Sequence, residues 1–167
     1  MNLMRLNKTQ KITISGAVMA LYIVILYFTQ SFSFGAYQIR IATTMYACGY
    51  FCPFLIIPLG LANLISNAMF GGLGIYDMIG GCIVGMLTTA CVAGIRKFHL
   101  PEFLVAIPII FVPGLLIPTY LSQLLHVPYQ VLSVSLCIGQ AVPAVCGVVG
   151  VYIAKGYFKK SRVSMGA

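Results

Sequence analysis

The stretch IATTMYACGYFCPFLIIPLGLANLISNAMF, residues 41–70, decides the fold. It holds no charged side chain, yet its thirty residues are too many for one crossing. At 1.5 Å per residue a single α-helix would run to about 45 Å, against a hydrocarbon core of ~30 Å. Pro53 and Pro58 lie inside it, and a proline within a helix removes a backbone hydrogen bond and clashes with the preceding turn. The expectation is therefore two helices, 41–52 and 54–70. The first is too short to cross fully, and short helices at membrane depth line a cavity or bury against protein.

The flanking sequence is of the same character. Of 167 residues, 60% are hydrophobic and 7% charged, far from the roughly 25% charge of a soluble domain. The alternation of a barrel strand is missing, so an all-α membrane protein is expected, with a single domain over 1–167. Its remaining spans are expected at 12–28, 75–95, 101–123 and 129–154, each near the ~20 residues a bilayer requires. The run 12–28 follows a basic tail, but no small-residue cleavage site follows it, which favours a first span over a signal peptide.

The net charge of +8 points away from nucleic acid because of where it sits. Nine of the ten basic residues form three clusters beside apolar runs: Arg5, Lys8 and Lys11; Arg96 and Lys97; Lys155, Lys159, Lys160 and Arg162. With both termini cytoplasmic, six spans put all three clusters inside, whereas five would put the second outside. Residues 29–40, 71–74 and 124–128 then lie outside, and Arg40 is the one basic residue on that face.

An arginine there either anchors a helix end at the headgroups or belongs to a site. Asp77, one of two acids in the chain, falls at the outer start of the fourth span, at the depth of Arg40. Opposite charges at one level of a nearly uncharged bundle mean a structural pair, a polar ligand site, or both. Phe34, Tyr37, Gln38 and Tyr76 surround them in the sequence and offer stacking faces and amide hydrogen bonds, a set suited to a flat, nitrogen-rich ligand. Gln140, mid-way along the last span, bonds either another helix or a ligand.

Glu102, the other acid, follows Pro101 in a first helical turn and suits a dipole-complementing role. His99 and His126 fall in loops with no partner at metal-ligand spacing. Cys48, Cys52, Cys82, Cys91, Cys137 and Cys146 are spread through apolar segments without a CxxC, as small buried hydrophobes would be. No metal, cofactor or disulfide is expected, and with no Walker loop, HExxH or nucleophile with a base the chain is not expected to be an enzyme. GAVMA, with Gly16 and Ala20 four apart, and GGCIVG, with Gly81 and Gly85 four apart, present small faces that allow close helix contact, within the bundle or with a partner.

SFGAYQIRI (33–41) after the first helix, followed by GGLGIYDMIGG (71–81), resembles the QueT family of substrate-binding S components of energy-coupling-factor (ECF) transporters. The resemblance implies a multi-pass subunit of a prokaryotic plasma membrane that captures a queuosine precursor, a deazaguanine base. Its partners would be the transmembrane EcfT subunit and two ECF ATPases, which hydrolyse the ATP of this ABC importer for vitamin uptake. It also implies that Gly16, Ala17 and Ala20 face EcfT. A guanine-like edge offers a ring N–H and an amino group side by side, which Asp77 can accept together, leaving a carbonyl for Arg40 or Gln38. Tyr37, Tyr76 and Phe34 would enclose the base. The family commonly has a glutamate three residues after the arginine and another in the last helix. Thr43 and Gln140 stand in those places, as for a neutral ligand. Two alternatives stay open: an S component for another vitamin, such as a flavin or thiamin, and a structural or regulatory membrane subunit in which Arg40 and Asp77 merely pair.

Overall fold

The computed structural model describes residues 6–33, 38–71 and 73–164, with the side chains of Phe32 and residues 159–164 left aside. Every element among the described residues is helical. The long helices are α1 (Lys8–Ser33), α2 (Ile56–Ser66), α3 (Ile75–Lys97), α4 (Ala106–Leu125) and α5 (Tyr129–Ser164).

The 41–70 stretch is divided where Pro53 stands. Ile41–Tyr50 is a 3-10 helix; the chain turns through Phe51 and Cys52, and Pro53 opens a 3-10 turn, Pro53–Leu55, that leads into α2. Pro58 takes no part in the break. It sits in the first turn of α2, where a backbone N–H would lack an intrahelical partner anyway.

Five stretches are long and apolar enough to cross a membrane: Lys8–Ser31, Pro53–Gly71, Ile75–Lys97, Glu102–Leu125 and Tyr129–Phe158. Ile41–Tyr50 is not one of them. Its ten residues, at about 2.0 Å each, cover roughly 20 Å. This segment packs against α1, α3 and α5, while α1 to α5 neighbour one another in chain order. The short helix thus fills the middle of the bundle, and seven of its residues are buried.

A 3-10 run longer than four residues is uncommon, and this one is held at both ends. At its start the Thr43 hydroxyl bonds the Arg40 carbonyl (2.6 Å). At its end Arg96 Nη1 donates to the carbonyls of Tyr50 and Phe51, each at 3.2 Å. A side chain at Gly49 would meet Thr89 Cγ2 at 2.6 Å, so glycine there lets the segment lie directly on α3.

α4 carries Pro113 and Pro118 within its length. Pro118 cannot donate to the carbonyl of Gly114, four residues back. Ser133 Oγ of α5 donates to that carbonyl instead, at 2.9 Å, which is how neighbouring helices make proline tolerable in lipid. α1 is the most peripheral helix: 11% of its apolar window is buried, against 39–44% for the others.

Candidate functional site

Arg40 precedes the 3-10 helix and is 4% exposed. Its Nη1 donates to Asn63 Oδ1 (3.1 Å) and its Nη2 to Asn67 Oδ1 (2.7 Å). Four residues apart, the two asparagines project from one face and take the guanidinium like a fork. Asn63 belongs to α2; Asn67 begins a π-turn, Asn67–Gly71, that continues it. Such turns often occur at functional sites.

Each asparagine also reaches the next helix. Asn63 Nδ2 donates to the Tyr46 hydroxyl (2.8 Å) and to the Gly81 carbonyl (2.9 Å), and Asn67 Nδ2 donates to the Asp77 carbonyl (2.9 Å). Tyr46 continues the network to the Tyr22 hydroxyl of α1 at 3.2 Å. A Cβ at position 81 would stand 2.5 Å from Asn67 Nδ2 and 3.1 Å from Asn63 Oδ1, and one at 85 would stand 3.0 Å from the Tyr46 hydroxyl. Gly81 and Gly85 therefore serve packing within the bundle: they clear the space the amides fill.

Asp77 is 5% exposed. Its Oδ1 accepts from the Tyr120 hydroxyl of α4 at 3.3 Å, and the Arg40 charge is near enough to act on it. Its Oδ2 is buried and has no hydrogen-bond partner among the described residues. Beside this group, Thr43 Oγ1 lies 2.7 Å from Gln140 Oε1 of α5. A hydroxyl has one proton, and that of Thr43 also faces the Arg40 carbonyl. Both contacts are satisfied when the hydroxyl donates to the carbonyl and Gln140 presents its NH2.

Arg40, Thr43, Asp77 and Gln140 are thus brought into one buried polar layer. Tyr76 is not. It is 68% exposed, because neighbours on a helix point about 100° apart and burying Asp77 turns Tyr76 outward. Gln38 is half-buried in the turn before Arg40, with a left-handed φ of 42°. Phe34 and Tyr37 lie outside the described residues. Asn63, Asn67, Tyr22, Tyr46 and Tyr120 join the layer without having been singled out by the sequence. The two amides four apart in an apolar run were the available signal.

The other polar residues go elsewhere. Glu102 pairs with Lys155 and accepts from the Tyr50 hydroxyl at 3.5 Å. His99 and His126 are exposed and left-handed, with φ of 55° and 54°, at the ends of α3 and α4. Gly16, Ala17 and Ala20 are all exposed on α1, and among the described residues no neighbouring element comes within 4 Å of a Cβ built at Gly16.

Among curated proteins and among solved structures nothing matches the chain. A model of the QueT transporter family matches residues 12–156, a span that reaches into each of the five apolar helices and includes Arg40, Thr43, Asp77 and Gln140. These four residues, buried together in an apolar bundle, fall inside the match, and over that matched length the chain belongs to the QueT transporter family.

Proposed function

We propose that this chain is the substrate-binding S component of an ECF-type importer and that it takes up a queuosine precursor or a related deazaguanine base. The observation that carries this is Asp77 Oδ2: a buried carboxylate oxygen without a hydrogen-bond partner among the described residues, in a layer whose other amides and hydroxyls are bonded. Leaving such an acceptor unmet is costly, and the paired N–H groups of a guanine-like edge would meet it. Arg40 and Gln38 are then the donors for the base carbonyl. Thr43 and Gln140, a neutral pair, suit a ligand without a cationic arm.

In this proposal Ile41–Tyr50 counts as a sixth, shortened membrane segment, and both termini are cytoplasmic. The chain would sit in a prokaryotic plasma membrane with EcfT and two ATPases as partners and would hydrolyse no ATP. Gly16, Ala17 and Ala20 would meet EcfT; what supports this is their exposure on the most peripheral helix.

Thermal unfolding of the purified protein with deazaguanines, guanine, a flavin and thiamin tests the ligand class. At a hundred times its dissociation constant a ligand stabilises by about 2.7 kcal/mol. A deazaguanine is expected to stabilise the wild type and to lose most of that effect in Asp77→Asn, which keeps an oxygen for Tyr120 but cannot accept two N–H groups. Stabilisation by flavin or thiamin alone would reassign the substrate. No response to any ligand, with Asp77→Asn destabilising by itself, would leave a structural charge pair.

A further inference from the structure

A second polar constellation lies at the other end of the bundle. From Asp77 to Lys97 α3 advances about 30 Å, and at that far end a cleft of about 1060 Å³ opens between α1, α3 and α5. Four cations line it, Lys11, Arg96, Lys97 and Lys155, against one carboxylate, Glu102.

Two of the cations are already engaged. Lys155 pairs with Glu102, and Arg96 covers the carbonyl end of the 3-10 helix, where partial negative charge collects. Lys11 and Lys97 are engaged differently. Their ammonium groups lie over the rings of Phe54 and Phe98, each 6.0 Å from the centroid, a contact that uses no N–H donor. The wall beside them is apolar, formed by Ala90 and Ala93 of α3 and by Leu100. Its rim is apolar, with Phe98 70% and Leu100 43% exposed.

We propose that this cleft is a binding site for an anionic phospholipid, its phosphate held by Lys11 and Lys97 and its acyl chains lying along the apolar wall of α3. The volume is at the upper end for a small-molecule site, which suits a headgroup with its glycerol and the start of two chains. Basic pockets between spanning helices have this affinity in general. A free phosphate would leave the aromatic and aliphatic wall unused. It would also meet the C-terminal end of α3, which disfavours an anion unless apolar contact adds to the binding. The site is separate from the Arg40–Asp77 layer, so a failed test here leaves the substrate assignment untouched.

The test is native mass spectrometry of the full-length protein with added phosphatidylglycerol or phosphatidylcholine of equal chain length, on wild type and on Lys11→Gln/Lys97→Gln. Near a membrane each lysine is worth about fivefold in affinity for an acidic lipid. The double variant should therefore lose on the order of twenty-fold for phosphatidylglycerol and much less for phosphatidylcholine, whose choline offsets the charge of its phosphate, with excess inorganic phosphate leaving bound lipid in place. Equal binding of the two lipids to wild type, or an unchanged preference in the variant, would overturn the site. Displacement of the lipid by inorganic phosphate would overturn its assignment to lipid.

Discussion

Two of the nitrogens of Arg40 are held by asparagine amides, and this sets which substitutions the bundle should resist. Interhelical hydrogen bonds between neutral groups in membranes average about 0.6 kcal/mol, because the separated helices find other partners. Removing a neutral partner from a buried ion costs more, roughly 1.5–3 kcal/mol, since the charge stays behind. Thr43→Val, which breaks two neutral contacts, with Gln140 and with the Arg40 carbonyl, is therefore expected to cost about 1 kcal/mol. Asn67→Leu, which strips Arg40 Nη2, should cost roughly 1.5–3 kcal/mol. Equilibrium unfolding in micelles measures both, and equal costs would mean that the guanidinium is not what the asparagines serve. Arg40, Asp77 and Gln140 were legible in the sequence because polar groups are few in and beside its apolar runs, whereas Thr43 was singled out only through the family resemblance. Tyr22, Tyr46 and Tyr120 were not, since a tyrosine among aliphatics looks the same whether its hydroxyl meets water or a buried amide. Tyr76 misled for a geometric reason: adjacency in sequence is not adjacency on a helix.

The division of 41–70 was readable from its length and from Pro53. That its first part is a 3-10 helix was not, because a segment buried on nearly all sides carries no periodicity by which 3.0 could be told from 3.6 residues per turn. What selects it is tertiary: Gly49 against Thr89, and Arg96 on the carbonyls of Tyr50 and Phe51. Pairing between α4 and α5 has a comparable origin. Pro118 frees the Gly114 carbonyl, and Ser133 occupies it. The two residues should be coupled. Ser133→Ala alone leaves a buried carbonyl unmet and is expected to cost about 1 kcal/mol. In a Pro118→Ala background residue 118 regains its N–H, and the same serine substitution should cost close to nothing. A double-mutant cycle by unfolding in micelles gives the interaction energy directly, and strict additivity would show that Ser133 is not the substitute donor.

Assembly of the bundle separates two small-residue faces that the sequence presents alike. Gly81 and Gly85 are consumed inside, where side chains would collide with Asn67, Asn63 and Tyr46. Gly16, with Ala17 and Ala20, remains on the outer face of the least buried helix, and among the described residues no neighbouring element comes within 4 Å of a Cβ at position 16. Glycine in a helix interior costs roughly 1 kcal/mol relative to alanine, and among the described residues no packing offsets that cost at position 16. An outside partner approaching closely would offset it, as small faces do between membrane helices. Gly16→Leu should accordingly leave the isolated protein as stable as wild type, or slightly more so, and leave ligand-induced stabilisation unchanged. In the proposed assembly, co-purification with EcfT and the two ATPases should fall by tenfold or more, the loss expected when about 1.4 kcal/mol of interface contact is removed. Unchanged co-purification would move the docking surface off this face of α1. A fall accompanied by lower stability of the isolated subunit would instead place position 16 in the fold, against the open space around it.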